Sequence, residues 1–265
     1  MNRLDTAFQN LQKKRQKAFV AYITAGDPDL PTTLKIMELL VEEGVDVIEL
    51  GVPFSDPIGD GPVNQAALER GIRSNTSLSG VLKTVQRFRK NHQTPVIIFS
   101  YMNPVFQMGY ASFAKKARLN GADGVLIVDG PFDMCTELRN HLREKNIHCI
   151  YLVAPTTREQ RIHTIADHCG GFIYCVSSLG VTGIRKTVNH DLSKRIKQLK
   201  KISSKPVCIG FGISSPETAK EAAGYADGII VGSALVKIIG ESGASPDELL
   251  MKLRTFVRSL VQAIK

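Results

Sequence analysis

The sequence predicts an α/β chain folded as a (β/α)8 TIM barrel with an extra helix ahead of the first strand. Three observations lead there. Short apolar runs are each followed by amphipathic helical stretches, eight times over 265 residues, a length at which such barrels commonly form one domain. The runs are continuously apolar rather than alternating, as expected of parallel strands covered on both faces. No Gly-x-Gly-x-x-Gly follows the first run, which counts against an open dinucleotide-binding sheet.

Each element has its own local reason. Leu4, Ala7, Phe8 and Leu11 recur at helical spacing, so 3–15 reads as an amphipathic opening helix. The run 18–24 reads as the first strand, halted by Ala25-Gly26-Asp27-Pro28. Pro31 starts a helix that Gly44 stops, and β-branched Val45, Val47 and Ile48 favour a second strand ended by Gly51-Val52-Pro53. A short helix around 65–71 and a longer one around 77–91 follow, then strand 95–100 and helix 110–120, strand 124–128 and helix 134–145, and strand 148–153 and helix 158–168. Strand 171–176 with helix 191–201, strand 206–210 with helix 216–223, and strand 227–231 with helix 246–264 complete the eight. No linker, low-complexity segment or charge block divides the chain, so 1–265 is expected to be a single catalytic domain.

Composition narrows the functional classes. With 43% hydrophobic and 22% charged residues the chain reads as a soluble globular protein. It contains no run near the roughly 18–20 apolar residues of a membrane span, and its start lacks the apolar core of a signal peptide. A cytoplasmic location without membrane attachment is expected. The net charge of +9 is spread over helical stretches such as 194–201, interleaved with apolar positions, and no nucleic-acid motif accompanies it. Nucleic acid is therefore not an expected partner, although a positive potential favours a small anionic substrate. The five cysteines are scattered without any Cys-x-x-Cys and read as small buried residues. The histidines pair with no acid at metal-ligand spacing, so neither a metal nor a histidine base is expected.

In a barrel, chemistry sits in the loops after the strands. Glu49 lies at the exit of the second strand, and the loop after it carries Ser55, Asp56 and Asp60 among Pro53, Pro57, Pro62, Gly59 and Gly61. That mixture of stiffening prolines, bending glycines and acids suits a working loop on a rigid frame. Late in the chain three glycine-rich loops follow strands six to eight: Ser177 to Gly183, Gly210-Phe211-Gly212-Ile213-Ser214, and Gly232-Ser233-Ala234. Glycines let a ligand approach backbone N–H groups, and a following helix start adds its positive end, so these loops suit a phosphate. Thr182 reads as a lid residue or as plain turn chemistry, and Tyr22, Tyr101 and Tyr174 at strand ends read as rim packing or ligand contacts. The residues on their own point to a metal-independent enzyme using two carboxylates on a phosphorylated metabolite. They leave open a sugar-phosphate isomerase or epimerase, or a non-catalytic metabolite sensor.

Residues 48–61, Ile-Glu-Leu-Gly-Val-Pro-Phe-Ser-Asp-Pro-Ile-Gly-Asp-Gly, resemble the signature of the tryptophan synthase alpha chain family. Thr24-Ala25-Gly26-Asp27-Pro28, Tyr101-Met102-Asn103-Pro104, Gly180-Val181-Thr182-Gly183, Gly210-Phe211-Gly212-Ile213 and Val231-Gly232-Ser233-Ala234 match in order and spacing, so the resemblance spans the chain. It implies retro-aldol cleavage of indole-3-glycerol phosphate to indole and glyceraldehyde 3-phosphate in tryptophan biosynthesis. By the same resemblance Glu49 is the acid–base, Asp60 stabilises the indole N–H, and Tyr22, Tyr174, Thr182, Gly183, Phe211, Gly212, Gly232 and Ser233 bind substrate and phosphate. It further implies no cofactor in this chain and a beta subunit partner carrying pyridoxal phosphate, in an alpha2-beta2 heterotetramer with allosteric coupling. Pro53, Asp56, Asn103 and Pro104 would face that partner. Tyr22, where Phe is common in the family, and Asp129-Gly130-Pro131, where an apolar residue commonly separates Asp from Pro, depart from its pattern.

Overall fold

The computed structural model describes residues 1–130, 132–176, 190–210, 212–241 and 245–265. Among them the strands, in chain order, are β1 (Ala18–Thr24), β2 (Val47–Gly51), β3 (Val96–Ser100), β4 (Gly124–Ile127), β5 (His148–Ile150), β6 (Leu152–Val153), β7 (Ile173–Val176), β8 (Val207–Gly210) and β9 (Gly228–Val231). Every pairing is parallel, in the order β5-β4-β3-β2-β1-β9-β8-β7-β6. The two ends of that list, β5 and β6, are pieces of one run separated only by Tyr151. The expected fifth strand is thus broken where it joins its neighbours. Gly170 N donates to Cys149 O at 2.9 Å and Tyr174 N to Tyr151 O at 3.2 Å, carrying the ladder across the break. Eight strand positions therefore close into a (β/α)8 barrel.

The helices are α1 (Arg3–Lys13), α2 (Leu30–Glu42), α3 (Pro62–Arg73), α4 (Leu78–Phe88), α5 (Met102–Met108), α6 (Tyr110–Asn120), α7 (Thr136–Glu144), α8 (Glu159–His168), α9 (His190–Ile202), α10 (Pro216–Tyr225), α11 (Ser233–Glu241) and α12 (Pro246–Ile264). Two of them, α5 and α11, lie where the sequence reading placed loop motifs. Pro104 falls in the first turn of α5, where proline is tolerated. In α11, Gly240 imitates a stop signal, while Ala234, Leu235, Val236 and Ile239 are buried and hold the helix against the barrel. Tertiary packing outweighs a single interior glycine there.

Alternation along the strands sorts the core. Ala18 and Val20 of β1, Val47 of β2, Ile97 of β3, Leu126 of β4 and Ile230 of β9 face the barrel interior, whereas Phe19, Ala21, Ile23, Ile48 and Leu50 pack outward against Ile36, Leu40, Val81 and Val85 of the helices. Both faces are apolar, which is why the runs look continuous in sequence. The opening helix α1 plugs the N-terminal mouth: Leu4, Phe8 and Leu11 join the interior cluster, with Phe8 5.4 Å from Phe172, ring centre to ring centre. Burying each such side chain is worth about 1.5–3 kcal/mol. Asn2 caps the helix by accepting from Leu4 N at 2.9 Å, and its amide donates to Asp123 O at 2.9 Å.

Asp123, just before β4, ties this end together. Its Oδ1 accepts from Arg3 at 2.8 Å, and its Oδ2 accepts from Arg89 at 2.6 Å and from Val96 N at 2.9 Å. No described helix is long and apolar enough to cross a membrane. With the N-terminal mouth closed by α1, the open end of the barrel is the one carrying the strand-to-helix loops.

Candidate active site

Glu49 sits mid-strand in β2, paired in register with Tyr22 on one side and Ile97 on the other. Val47 and Glu49 point inward because Ile48 and Leu50 belong to the outer layer. The Glu49 side chain is fully buried, and among the described residues neither carboxylate oxygen has a hydrogen-bond partner. Burial alone pushes its pKa up to about 8, because no cation or donor compensates the charged form. Near neutral pH it is largely a protonated acid.

Asp60 is buried as well, but it is held. Tyr101 Oη donates to Oδ2 at 2.6 Å and Asn64 Nδ2 donates to Oδ1 at 3.1 Å. The backbone fixes it too: Asp60 N donates to Pro57 O at 3.1 Å, and Gln65 Nε2 donates to Asp60 O at 2.9 Å. Burial raises its pKa above the usual carboxylate value, and these two side-chain donors offset part of the rise. Tyr101 also accepts from Gly59 N at 3.0 Å and stacks on Phe54 with ring centres 5.0 Å apart, which braces the loop after β2. The two carboxyls thus sit in unlike surroundings, one bare and one hydrogen-bonded, the arrangement that lets one act as acid while the other stays ionised.

A cavity of about 70 Å³ at the open end is lined by Tyr22, Gly59, Asp60, Asn64, Phe99, Val128, Leu152, Tyr174, Gly212, Ile213, Ile230, Gly232 and Ser233. Glu49 is not in its wall. It lies beside the lining, paired with Tyr22; burial first, and then the charges of Asp60 and Glu49, raise the Tyr22 and Tyr174 phenols well above their usual range. Tyr22 packs edge-on to Phe99 at 4.9 Å, and its hydroxyl lies 3.4 Å from Thr24 Oγ1. Both tyrosines occupy space that glycines leave: a Cβ on Gly51 would fall 2.5 Å from Tyr22 Oη, and one on Gly210 would run into the Tyr174 ring. Gly51 and Gly210 are therefore needed by the pocket, not only by turns.

Of the residues singled out from sequence, Tyr22, Asp60, Tyr174, Gly212, Gly232 and Ser233 meet around this cavity, with Glu49 beside it. Gly212 has φ 86°, a conformation open to glycine. Ser233 opens α11 and Gly232 O accepts from Val236 N at 3.0 Å, so a helix start points at the recess. Thr182, Gly183, Phe211 and Pro131 lie outside the described residues. Pro53, Asp56, Asn103 and Pro104 stand apart from the cavity, on the neighbouring segments after β2 and β3. Asp56 and Asn103 are exposed, Pro104 is partly buried, and Pro53 is buried against Gly71. Asp129 Oδ1 accepts from Met102 N at 2.7 Å, so Asp129 braces the start of α5. Sequence reasoning missed Asn64, and it read Tyr101 as rim packing or a ligand contact rather than as the donor to Asp60. The i, i+4 spacing of Asp60 and Asn64 across a helix start was the available signal for the first.

A closed (β/α)8 barrel whose mouth holds an unpartnered acid, a braced carboxylate and a glycine-lined helix start defines a barrel enzyme of small-metabolite chemistry. The comparisons narrow the class. The tryptophan synthase alpha chain family model matches residues 8–265. The chain is 45% identical to the tryptophan synthase alpha chain of Neisseria meningitidis serogroup B, covering 97% of this chain and all of that one. It is 42% identical to that of Arabidopsis thaliana, over 98% of this chain and 95% of that one. The solved tryptophan synthase subunit alpha of Legionella pneumophila superposes with a TM-score of 0.91 at 40% identity, covering 100% of this chain and 98% of that chain. The chain belongs to the tryptophan synthase alpha chain family, a family of enzymes of tryptophan biosynthesis.

Proposed function

We propose that this protein cleaves indole-3-glycerol phosphate in a retro-aldol sense to indole and glyceraldehyde 3-phosphate, with Glu49 as the acid–base. The observation that carries the reading is the Glu49 carboxyl: buried, without a hydrogen-bond partner among the described residues, and protonated near neutral pH because burial pushes its pKa up to about 8. A proton delivered to the ring carbon that bears the glycerol chain converts the indole into an electron sink. The carbon–carbon bond then breaks toward that sink as the adjacent hydroxyl becomes an aldehyde and gives up its proton. The carboxylate left on Glu49 is the base that receives it, so the group ends as it began and the proton count balances.

Asp60 accepts from the indole N–H and stabilises the positive charge on the ring while the sink exists. Its two donors, Tyr101 and Asn64, favour the ionised form this task needs. Gly232 and Ser233, at the start of α11, and Gly212, in the loop after β8, take the phosphate. Thr182 and Gly183 belong to the same reading as lid and phosphate contacts. No cofactor is required in this chain.

The partner in this reading is a pyridoxal-phosphate-bearing beta subunit that receives indole, in an alpha2-beta2 assembly in the cytoplasm. Exposed apolar side chains support an interface there: Ile58 is 82% and Phe106 is 61% exposed, on the segments that carry Asp56 and Asn103. The test is indole release from indole-3-glycerol phosphate by the purified chain, alone and with a tryptophan synthase beta subunit. Indole formation that rises when the beta subunit is added supports the reading. A folded wild-type chain that forms no indole under either condition overturns it.

A further inference from the structure

Four buried side-chain atoms among the described residues lack a hydrogen-bond partner, and three of them are at this site: both oxygens of Glu49 and Oδ1 of Asn64. Glu49 is accounted for by the proton transfers above. Asn64 is not used by them. It lies in the first turn of α3, is buried, and lines the cavity beside Asp60. Among the described residues its side chain makes one hydrogen bond, from Nδ2 to Asp60 Oδ1 at 3.1 Å. An ionised carboxylate only accepts, so the amide must offer its nitrogen, and Oδ1 is left without a partner. A buried amide that leaves one end unpaired to keep the other on Asp60 is oriented by Asp60 alone.

We propose that Asn64 is a positioning residue for Asp60, fixing the carboxylate's Oδ1 while Tyr101 fixes Oδ2 and so holding Asp60 ionised toward the bound ring. The proposal rests on the role given to Asp60 in the preceding reading. Among the described residues the titratable groups coupled to Asp60 are Tyr22 from β1, Tyr174 from β7 and Tyr101, just before α5, with Glu49 of β2 acting on the first two. All are neutral or anionic, and among the described residues no cation acts on Asp60. Its ionisation therefore depends on two neutral donors, and losing one shifts the balance toward the protonated form.

The test titrates Asp60 directly, by NMR of its 13C-labelled carboxyl, assigned by its disappearance in D60N. Wild type, N64L and N64D are compared, with thermal melting recorded for each. In N64L the Asp60 pKa rises by about one unit. In N64D it rises further, because two adjacent carboxylates compete for one proton. The acid limb of kcat/KM for indole-3-glycerol phosphate moves up by the same amount. N64D preserves the side chain's shape and carries the test if N64L does not fold. An Asp60 titration unchanged from wild type in the folded variants overturns the proposal, even where melting temperature or kcat falls. The NMR titration needs no turnover, so a wild-type chain that forms no indole is a separate outcome that overturns the reaction and not the coupling of Asn64 to Asp60.

Discussion

Two carboxylates are almost wholly buried at opposite ends of this barrel, and they are treated in opposite ways. Asp123, at the plugged end, accepts from Arg3, Arg89 and Val96 N, so every charge and donor around it is matched. Glu49, toward the open end, has no partner for either oxygen among the described residues. The first is a knot joining α1, α4 and β3 at the mouth that α1 closes. The second is a group left dissatisfied, whose protonated form is favoured because nothing stabilises its charge. The difference separates a carboxylate that holds the fold from one available for chemistry.

The widest gap should appear in activity. Glu49→Gln is expected to lower indole formation by about 10³-fold or more while leaving a folded chain that still binds glycerol 3-phosphate; near-normal turnover would remove Glu49 as the acid–base. On stability the two carboxylates should move in opposite directions. Asp123→Ala strands the Arg89 guanidinium, only 9% exposed, and should cost about 3–5 kcal/mol in urea unfolding. A cost under 1 kcal/mol would mean that Asp123 is no more than a surface-like pair.

Glu49→Gln should instead stabilise, and increasingly so as pH rises. The folded pKa, about 8, lies above the unfolded value, so the native state holds a proton that the unfolded state releases. The stability contributed by that proton is full below the unfolded value and is lost as pH climbs through 8. The Gln variant, which does not titrate, should gain on wild type between pH 5 and pH 8 by on the order of 2–4 kcal/mol. Parallel stability curves for the two proteins across that range would contradict the burial account.

Smaller effects sharpen the contrast. Tyr101→Phe removes the donor to Asp60 Oδ2 and should cost about 1–2 kcal/mol in kcat/KM, with the acid limb shifted up as Asp60 becomes harder to ionise. A loss confined to thermal stability would make Tyr101 a brace only. Arg3→Ala at the plugged end, where the arginine is 33% exposed, should cost only about 0.5–1 kcal/mol of unfolding free energy. A loss as large as that of Asp123→Ala would instead make Arg3 the main support of the knot.

Much of this molecule was legible in its residues. Strand and helix alternation announced the barrel because a parallel sheet buried on both faces must be written as short apolar runs. Leu4, Phe8 and Leu11 marked an amphipathic opening helix, though not that it would plug the barrel. Glu49 and Asp60 were conspicuous as carboxylates in an apolar run and an acidic loop, although Glu49 lies in the middle of β2 and not at its exit as the sequence reading had it. Helices α5 and α11 were hidden, since Met102-Asn103-Pro104 and Gly232-Ser233-Ala234 were read as loop motifs and both helices are held by packing.

Local sequence by itself determined the succession of strands with helices after them, a carboxylate within the second strand, and another in the acidic loop that follows it. Tertiary structure alone decided which polar groups meet. Tyr101 reaches Asp60 across 41 positions and Arg3 reaches Asp123 across 120, distances in sequence that no local pattern encodes. It also decided which carboxylate is matched and which is left bare. Burial and partnership are properties of the closed barrel, because desolvation acts on a charge only once the chain around it has excluded water.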